Sequence, residues 1–204
     1  MKYILGTKQQ MTQFYTPEGK SVAATVLVAG PITVTALKNA ERDGYVAAQV
    51  GFGKQLPQRV NKAQIGALKD LGTFKTLREF RPKNGALDVT VGQTITADVF
   101  AAGDPVTVSA TSKGKGFQGG VKRHGFHGGP RSHGQAHSER EVGSIGAGGM
   151  QRVMKGLRMP GRMGSDKVTV KGLTILAVDP VNNLLVVSGA VPGRRGTVVE
   201  VTGN

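Results

Sequence analysis

One stretch of the sequence, Thr111–Gly164, most constrains how this chain can fold. It contains fifteen of the 31 glycines and all four histidines, and its ten Lys or Arg residues against two acids give it a net charge of +8. Such a segment has almost nothing to bury, because Phe117 and Phe126 are its only aromatic residues. Long loops inside compact domains are uncommon unless they are functional or disordered. We therefore expect a functional loop that is mobile when free and ordered on its partner.

The charge of the chain indicates the partner of this stretch. The whole chain has a net charge of +14, and more than half of that lies within 111–164. Lys and Arg in such excess bind polyanions by neutralising phosphates and releasing counterions. The basic residues lie in a glycine-rich segment rather than on one face of an amphipathic helix, which argues against a membrane surface. The sequence therefore predicts a nucleic-acid-binding protein with no membrane partner.

Other features narrow the class of protein and its compartment. No apolar run approaches the ~18 residues that a membrane-spanning helix needs. The N-terminal MKYILGTKQQ contains no apolar core of a secretory signal. Because no export signal is present, we expect the chain in the cytoplasm. The chain has no cysteine, which excludes a disulfide scaffold and a thiolate metal site.

Outside 111–164 the pattern is that of β-strands. Apolar residues recur with a period of two, many of them are β-branched, and turn sequences separate the segments. Only Asn61–Leu71 has helical spacing. The pattern predicts a mostly β fold, most simply a small β-barrel with a small α+β insertion and a long basic Gly-rich internal extension. The predicted strands are Val22–Val28, Ile32–Leu37, Tyr45–Val50, Phe74–Phe80, Thr94–Phe100, Val106–Ser109, Val168–Val178, Leu184–Val187 and Thr197–Val201.

The same pattern predicts the domain boundaries. We expect residues 1–110 and 165–204 to form the barrel core, with an inserted subdomain around 52–92. Residues 111–164 form the extended basic loop. The net charge of 165–204 is only +1, so we expect that part to belong to the barrel rather than to a binding surface.

The segment 111–123, TSKGKGFQGGVKR, is the first candidate binding site. Glycine lets a backbone lie close to a phosphate chain, and Lys113, Lys115, Lys122 and Arg123 supply positive charge. A solvated linker is the alternative, but linkers are usually neutral Gly/Ser segments. Gly114-x-Gly116-x-x-Gly119 also matches the dinucleotide fingerprint, which requires a following helix. Residues 120–130 are expected to hold no helix, which argues against that function.

The four histidines are the second candidate, with the spacing His124-x2-His127-x5-His133-x3-His137. Imidazole is a common metal ligand, but a metal site also needs rigidity and carboxylates in support. The neighbours here are Arg and Gly, so polar contacts to RNA are favoured over a metal site. A catalytic histidine would need a nucleophile and an orienting acid, and nothing fixes the nearby serines for that role.

The third candidate is the basic run 151–164. Its Arg152, Lys155, Arg158 and Arg162 are spaced by three, three and four residues, with methionines between them. A helix is possible only up to Arg158, because Gly156 and Pro160-Gly161 break it. An amphipathic core helix is one interpretation. The other is a returning limb whose cations contact phosphates while methionines fill irregular gaps.

With these motifs the sequence resembles a known family, the universal large-subunit ribosomal protein three in its bacterial form. The resemblance runs nearly end to end and includes Asp43-Gly44-Tyr45 and Glu79-Phe80-Arg81. The most specific motifs, in this order, are TSKGKGF from Thr111, GSIG from Gly143 and GAVPG from Gly189. Departures from the family pattern are Gln10 in place of a common Gly, Glu139 and Val142 around Arg140, and a tip at 147–152 that is one residue shorter than usual.

The resemblance implies a translation-protein-type β-barrel with an extension that threads through ribosomal RNA toward the peptidyl transferase centre. It implies binding near the 3′ end of the large-subunit rRNA, a role early in subunit assembly, and neighbours such as the large-subunit proteins numbered fourteen and nineteen. It also implies a chain that is not an enzyme, with no cofactor and no small-molecule substrate. A free-standing RNA chaperone is the alternative function, and a nucleotide-dependent enzyme is a distant third.

The candidate rRNA-binding residues all lie in 111–164. The resemblance assigns four of them to the first limb of the extension, two to its returning limb and one to an SHG element. The full set is Lys113, Lys115, Phe117, Lys122, Arg123, His124, Arg131, His133, Arg140, Arg152, Lys155, Arg158 and Arg162.

Overall fold

The computed structural model describes residues 2–68, 71–82 and 87–203. Its strands dominate, which confirms the prediction of a mostly β fold. Short α-helices occur at α1 (Ala40–Asp43), α2 (Lys62–Ala67) and α3 (Gly120–His124), and 3-10 turns at Pro57–Arg59, Ala97–Val99 and Ser138–Arg140. In chain order the strands are β1 (Tyr3–Tyr15), β2 (Ser21–Ala29), β3 (Ile32–Lys38), β4 (Ala47–Lys54), β5 (Phe74–Phe80), β6 (Thr94–Ile95), β7 (Pro105–Thr111), β8 (Phe117–Gln118), β9 (Gly161–Arg162), β10 (Lys167–Asp179), β11 (Leu184–Ser188) and β12 (Val198–Gly203).

The chain divides into two compact units, Met1–Thr111 with Lys167–Asn204, and Ser112–Asp166. In the first unit, six strands close into an antiparallel barrel in the order β1-β12-β7-β10-β11-β2. Every second side chain of a strand points into the barrel and fills its interior. On β7, for example, Val106, Val108 and Ala110 are buried and the residues between them are not. A closed barrel leaves no unpaired sheet edge along its paired strands.

A second sheet in the same unit has the order β5-β4-β3-β6 and is antiparallel throughout. Its buried residues, among them Ile32, Val34 and Val50, belong to one hydrophobic cluster with the barrel residues. Tyr3 of β1 stacks on Phe80 of β5, with ring centroids 4.8 Å apart. The sheet draws on strands from Ile32 to Ile95, a wider span than the 52–92 predicted for the insertion.

Several element boundaries differ from the sequence prediction. β1 was not predicted, because its polar run from Thr7 to Gln10 interrupts the apolar alternation. The strand predicted over Thr94–Phe100 ends at Ile95, since Thr96 hydrogen-bonds to Asp98 and the chain turns into a 3-10 helix there. The predicted helix forms over Lys62–Ala67, capped by the Asn61 side chain, which accepts the N–H of Gln64 at 2.8 Å. Residues 69 and 70 of that prediction lie outside the described residues.

Gly51 on β4 lies directly under the ring of Phe74, and we predict that Gly51→Ala destabilises the chain. A Cβ at Gly51 would meet ring atoms 2.5–2.8 Å away, and a Phe ring in a packed sheet cannot yield easily. Overpacking of this kind costs about 1–3 kcal/mol. Urea unfolding of the full chain measures the change in the free energy of unfolding. In Gly66→Ala, the control on α2, the new methyl meets no atom within 4 Å, so stability should stay the same or rise by up to about 1 kcal/mol. Equal stabilities for the two variants would contradict the prediction.

Asp104 provides a prediction about pH. The backbone N–H of Ala101 at 3.0 Å and the Lys2 ammonium at 2.9 Å both favour the carboxylate, and they lower the pKa of Asp104. A carboxyl with a lowered pKa in the folded state stabilises the fold above its unfolded pKa, near 4, and loses this contribution as the pH falls through the folded value. We therefore expect Asp104→Asn to lower the Tm at pH 7 and to lower it less at pH 3.

Thermal unfolding of the two proteins between pH 7 and pH 3 tests this prediction. Asp88→Asn is the control, because Asp88 is exposed and forms no ion pair with any described residue. A Tm difference between wild type and Asp104→Asn that stays constant with pH would show that the charge of Asp104 is not responsible.

Candidate nucleic-acid interface

The unit Ser112–Asp166 is organised around two paired limbs, 112–118 and 161–166. β8 and β9 pair antiparallel, with Phe117 opposite Arg162 and Gln118 opposite Gly161. Further backbone hydrogen bonds continue the pairing: Lys115 N to Met163 O at 2.9 Å, Met163 N to Gly116 O at 3.0 Å, and Ser112 N to Asp166 O at 2.9 Å. The basic residues of both limbs are thus held on one two-stranded ribbon.

Glycine is needed where the limbs approach each other. Gly164 has a φ of +76°, and a Cβ there would collide with the carbonyl oxygen of Lys113. A Cβ at Gly114 would lie 2.8 Å from the hydroxyl of Ser165. Gly114 and Gly164 therefore allow the two limbs to approach each other closely.

Helix α3 corrects the expectation that residues 120–130 hold no helix. Val121 to His124 contain no helix breaker, and Gly125 ends the helix in the left-handed conformation with its N–H on Val121 O at 3.0 Å. The helix has five residues, and the short strand before it, β8, pairs antiparallel with β9. A dinucleotide site needs a long helix in a β-α-β unit of parallel strands, so the geometry does not support that function.

Two of the predicted RNA-binding residues point into the unit. Arg123 donates from Nη1 to the carbonyl oxygen of Met159 at 2.6 Å, and the His124 Nε2 lies 3.0 Å from the same oxygen. A Cβ on Gly161 would be 2.7 Å from Arg123 Nη1, so the glycine makes room for the guanidinium. Both side chains are half-buried. They fasten α3 to the returning limb.

A small packed cluster lies beyond α3. The Phe126 ring and Val142 both cover Gly120, where a Cβ would be 2.8 Å from each of them. The His124 ring lies against Phe126, with centroids 5.7 Å apart. Arg131 forms an ion pair with Glu139 at 3.1 Å. The unit therefore has more internal structure than its glycine content predicts.

The remaining candidate residues are exposed. Phe117 is 75% exposed although it lies in β8. Of the candidate cations, Arg131 pairs with Glu139 and Arg162 pairs with Asp166 at 3.3 Å. The other exposed candidate cations form no ion pair with any residue that the structure describes, and these are Lys113, Lys115, Lys122, Arg140, Arg152, Lys155 and Arg158. We call these seven the unpaired cations.

The second basic run has no helix among the described residues of 151–160. Its apolar side chains are exposed as well: Met154 is 62% and Leu157 is 42% exposed. The interpretation of this run as an amphipathic core helix is therefore wrong, since its breakers leave only turns. Cations and apolar side chains alternate on an open surface.

The histidines do not converge. His124 contacts the Met159 carbonyl, while His127, His133 and His137 are exposed, and His133 has a φ of 60°. Across residues 2–68, 71–82 and 87–203, no group of three or more His, Cys, Asp or Glu side chains is placed to hold a metal ion.

Sequence reasoning missed one exposed basic turn in the first unit. Arg194 and Arg195 are exposed between β11 and β12. The turn is held by Lys8, whose Nζ donates to Val191 O at 2.6 Å, and by Arg194 N, which donates to Thr197 Oγ1 at 3.1 Å. The low net charge of the C-terminal segment hid these two arginines, but the local sequence Gly-Arg-Arg-Gly could have revealed them.

Within the described part of the chain, no helix has the length and apolar character that crossing a bilayer requires.

Comparisons with known proteins agree with this basic, mostly β architecture. The sequence profile of the family described as ribosomal protein L3 matches residues 80–183. Large ribosomal subunit protein uL3 of Desulforudis audaxviator (strain MP104C) is 48% identical over 202 residues, which cover 98% of this chain and 94% of the relative. The proteins of the same name from Heliobacterium modesticaldum (strain ATCC 51547 / Ice1) and Nocardia farcinica (strain IFM 10152) are 46% and 47% identical, each over 97% of this chain and over 95% and 90% of the relative.

The protein is therefore of the ribosomal class. It belongs to the ribosomal protein L3 family, uL3. Membership of the family confirms the resemblance seen in the sequence, and it confirms that the chain is a structural protein and not an enzyme.

The contact at Gly164 gives a test of the paired limbs. We predict that Gly164→Ala opens them, because the methyl collides with the Lys113 carbonyl and a positive φ costs a residue with a side chain about 1–3 kcal/mol. Amide hydrogen exchange should become about tenfold faster or more at Lys115 and Met163, whose N–H groups form the ladder. Gly148→Ala, where the methyl meets no atom within 4 Å, should leave both amides unchanged. Unchanged exchange in Gly164→Ala would mean that the limbs are held by other contacts.

Proposed function

We propose that this chain is a structural constituent of the large ribosomal subunit in the cytoplasm and that the unit Ser112–Asp166 is its main contact with large-subunit rRNA. The observation that carries the proposal is the set of seven unpaired cations on a unit whose backbone is held by its own hydrogen bonds. So many unpaired cations on one unit attract a polyanion, because the phosphates of RNA release the counterions that otherwise neutralise them. The family assignment supports the RNA of the large subunit as the source.

The arrangement has two functions on RNA. The lysines at the paired limbs and on α3 act as point charges that neutralise phosphates without a fixed geometry. The exposed ring of Phe117 offers a flat apolar face on which an unpaired base can stack. Backbone contacts dominate in such an interface, so they position the chain on the RNA without reading a base sequence.

The finer assignments rest on the resemblance to the family. They are binding near the 3′ end of the rRNA, support of early subunit assembly, an extension directed toward the peptidyl transferase centre, and neighbours corresponding to the large-subunit proteins numbered fourteen and nineteen. The exposed apolar side chains of residues 145–157 support an extension that is buried in its partner, since such side chains are otherwise unfavourable in water.

The salt dependence of binding tests the RNA contacts. We expect the affinity of the full chain for protein-free large-subunit rRNA to fall steeply with salt, with a log–log slope that corresponds to roughly six to ten neutralised phosphates. Lys115→Ala and Lys122→Ala should each weaken binding and make the slope shallower by about one, because each removes one phosphate contact.

Lys20→Ala is the matched control for these two variants. It also removes one lysine charge, but Lys20 is paired with Glu18 at 3.0 Å and lies between β1 and β2, away from the candidate residues in sequence. If Lys115→Ala and Lys122→Ala change affinity and slope no more than Lys20→Ala does, the unit 112–166 is not the main RNA contact.

Sedimentation of a cell extract at high salt separates this proposal from a free-standing RNA chaperone. A structural constituent should migrate with the large subunit after the salt wash, because its contacts are enclosed and poorly screened. A chaperone binds through exposed contacts, so it should be released to the top of the gradient.

A further inference from the structure

Two sequence motifs outside the basic unit meet on the second sheet. Asp43-Gly44-Tyr45 precedes β4, and Glu79-Phe80-Arg81 ends β5. The pairing of Ala48 with Phe80 brings the start of β4 beside the end of β5. The side chains of Tyr45 and Arg81, which are 36 positions apart, come into contact there. The proposed function uses neither motif.

Arg81 is stacked on Tyr45. Its guanidinium carbon lies 3.8 Å from the centroid of the Tyr45 ring, the distance of two flat groups in van der Waals contact. The Arg81 side chain is exposed, whereas Tyr45 is half-buried. The guanidinium therefore lies over the ring and at the same time reaches the surface.

A hydrogen-bonded network holds the ring of Tyr45 in place. The Lys38 Nζ donates to the Tyr45 hydroxyl oxygen at 2.7 Å, and the Tyr45 hydroxyl donates to Glu79 Oε2 at 2.9 Å. Lys38 and Glu79 close the triangle with an ion pair at 2.8 Å. These contacts also lower the pKa of Glu79, with the hydrogen bond from Lys38 as the largest cause. Tyr45 is thus a fixed support for the guanidinium.

Arg81 forms no ion pair within this network, although its charge is among the smaller causes that lower the pKa of Glu79. Lys38 and Glu79 neutralise each other, and no carboxylate among the described residues lies within ion-pair distance of Arg81. The guanidinium of Arg81 donates no hydrogen bond to any of the described residues, so its N–H groups are available to a partner. A planar cation that lies over an aromatic ring, is exposed and has no hydrogen-bond or ion-pair partner among the described residues has the properties of the arginines on which RNA bases stack.

We infer that Arg81, supported by Tyr45, is a stacking site for one unpaired base of RNA, separate from the unit 112–166. The guanidinium plane covers the base, and its N–H edge donates to a phosphate or to a base acceptor of the same strand. Tyr45, Lys38 and Glu79 are positioning residues. The inference rests on the proposed function, which supplies RNA as the partner. A carboxylate on a neighbouring protein is the competing partner for the same guanidinium.

The test is Arg81→Lys in the full chain, with protein-free large-subunit rRNA as the probe. The variant keeps the charge and loses the plane, so the log–log salt slope should stay that of wild type. The Kd measured by filter binding should rise about fivefold or more, the loss of one stacked base. Chemical probing should reveal at least one unpaired nucleotide that wild type protects and the variant leaves reactive.

Further variants separate stacking from a general effect on the fold. Arg59→Lys is the matched control, since Arg59 is an exposed arginine of the same unit and no aromatic ring of a described residue lies beneath it. Its Kd should stay within about twofold of wild type. Tyr45→Leu removes the supporting ring and should reproduce the exposed nucleotide of Arg81→Lys. Circular dichroism establishes that each variant is folded before its binding is compared.

Wild-type affinity and an unchanged footprint in Arg81→Lys would overturn the stacking site and leave a protein carboxylate as the partner of Arg81. If Lys115→Ala and Lys122→Ala weaken binding in the same assay while Arg81→Lys does not, the proposed function stands and only this inference fails. If wild type itself does not bind the rRNA, both fail.

Discussion

The pairing of β7 with β10 is the interaction on which the rest of the structure depends. It contributes one seam of the barrel, and its last pair, Thr111 with Lys167, brings together the two ends of a segment of more than fifty residues. Closing so long a loop costs conformational entropy, which grows slowly with length. Because the buried valines of β7 already stabilise this seam, the segment 112–166 needs few apolar contacts of its own to keep its ends together.

Within that segment the cations form two groups, those with a contact inside the unit and the seven unpaired cations, which include Arg140, Arg152 and Arg158. Arg123, Arg131 and Arg162 contact a carbonyl or a carboxylate of the unit itself, and these are all arginines. The four lysines of the unit are all among the unpaired cations. The forked guanidinium suits fixed internal contacts, whereas the ammonium is a mobile, strongly hydrated charge. Basic residues therefore have two roles in this unit: some stabilise it through internal contacts, and the others are exposed to a partner.

The sequence predicted most features that depend on local patterns, although helix α3 was missed, and it gave no sign of contacts between residues far apart in the chain. Period-two alternation revealed β7 and β11, but the polar residues of β1 concealed a strand whose partners lie at both ends of the chain. The positive charge of 111–164 could be read directly from its amino-acid composition. Two contacts each join residues 36 positions apart: Arg123 with the Met159 carbonyl, and Arg81 with the ring of Tyr45. No sequence pattern predicts contacts at that separation.

The paired limbs have a consequence for how this family can vary in length. The register of Phe117 with Arg162 and of Gln118 with Gly161 is set by hydrogen bonds near the base of the unit. Residues gained or lost near the tip, at 147–152, leave those bonds intact, so deletions there do not propagate into the barrel. The number of residues at 147–152 can therefore vary while the register of the paired limbs stays the same.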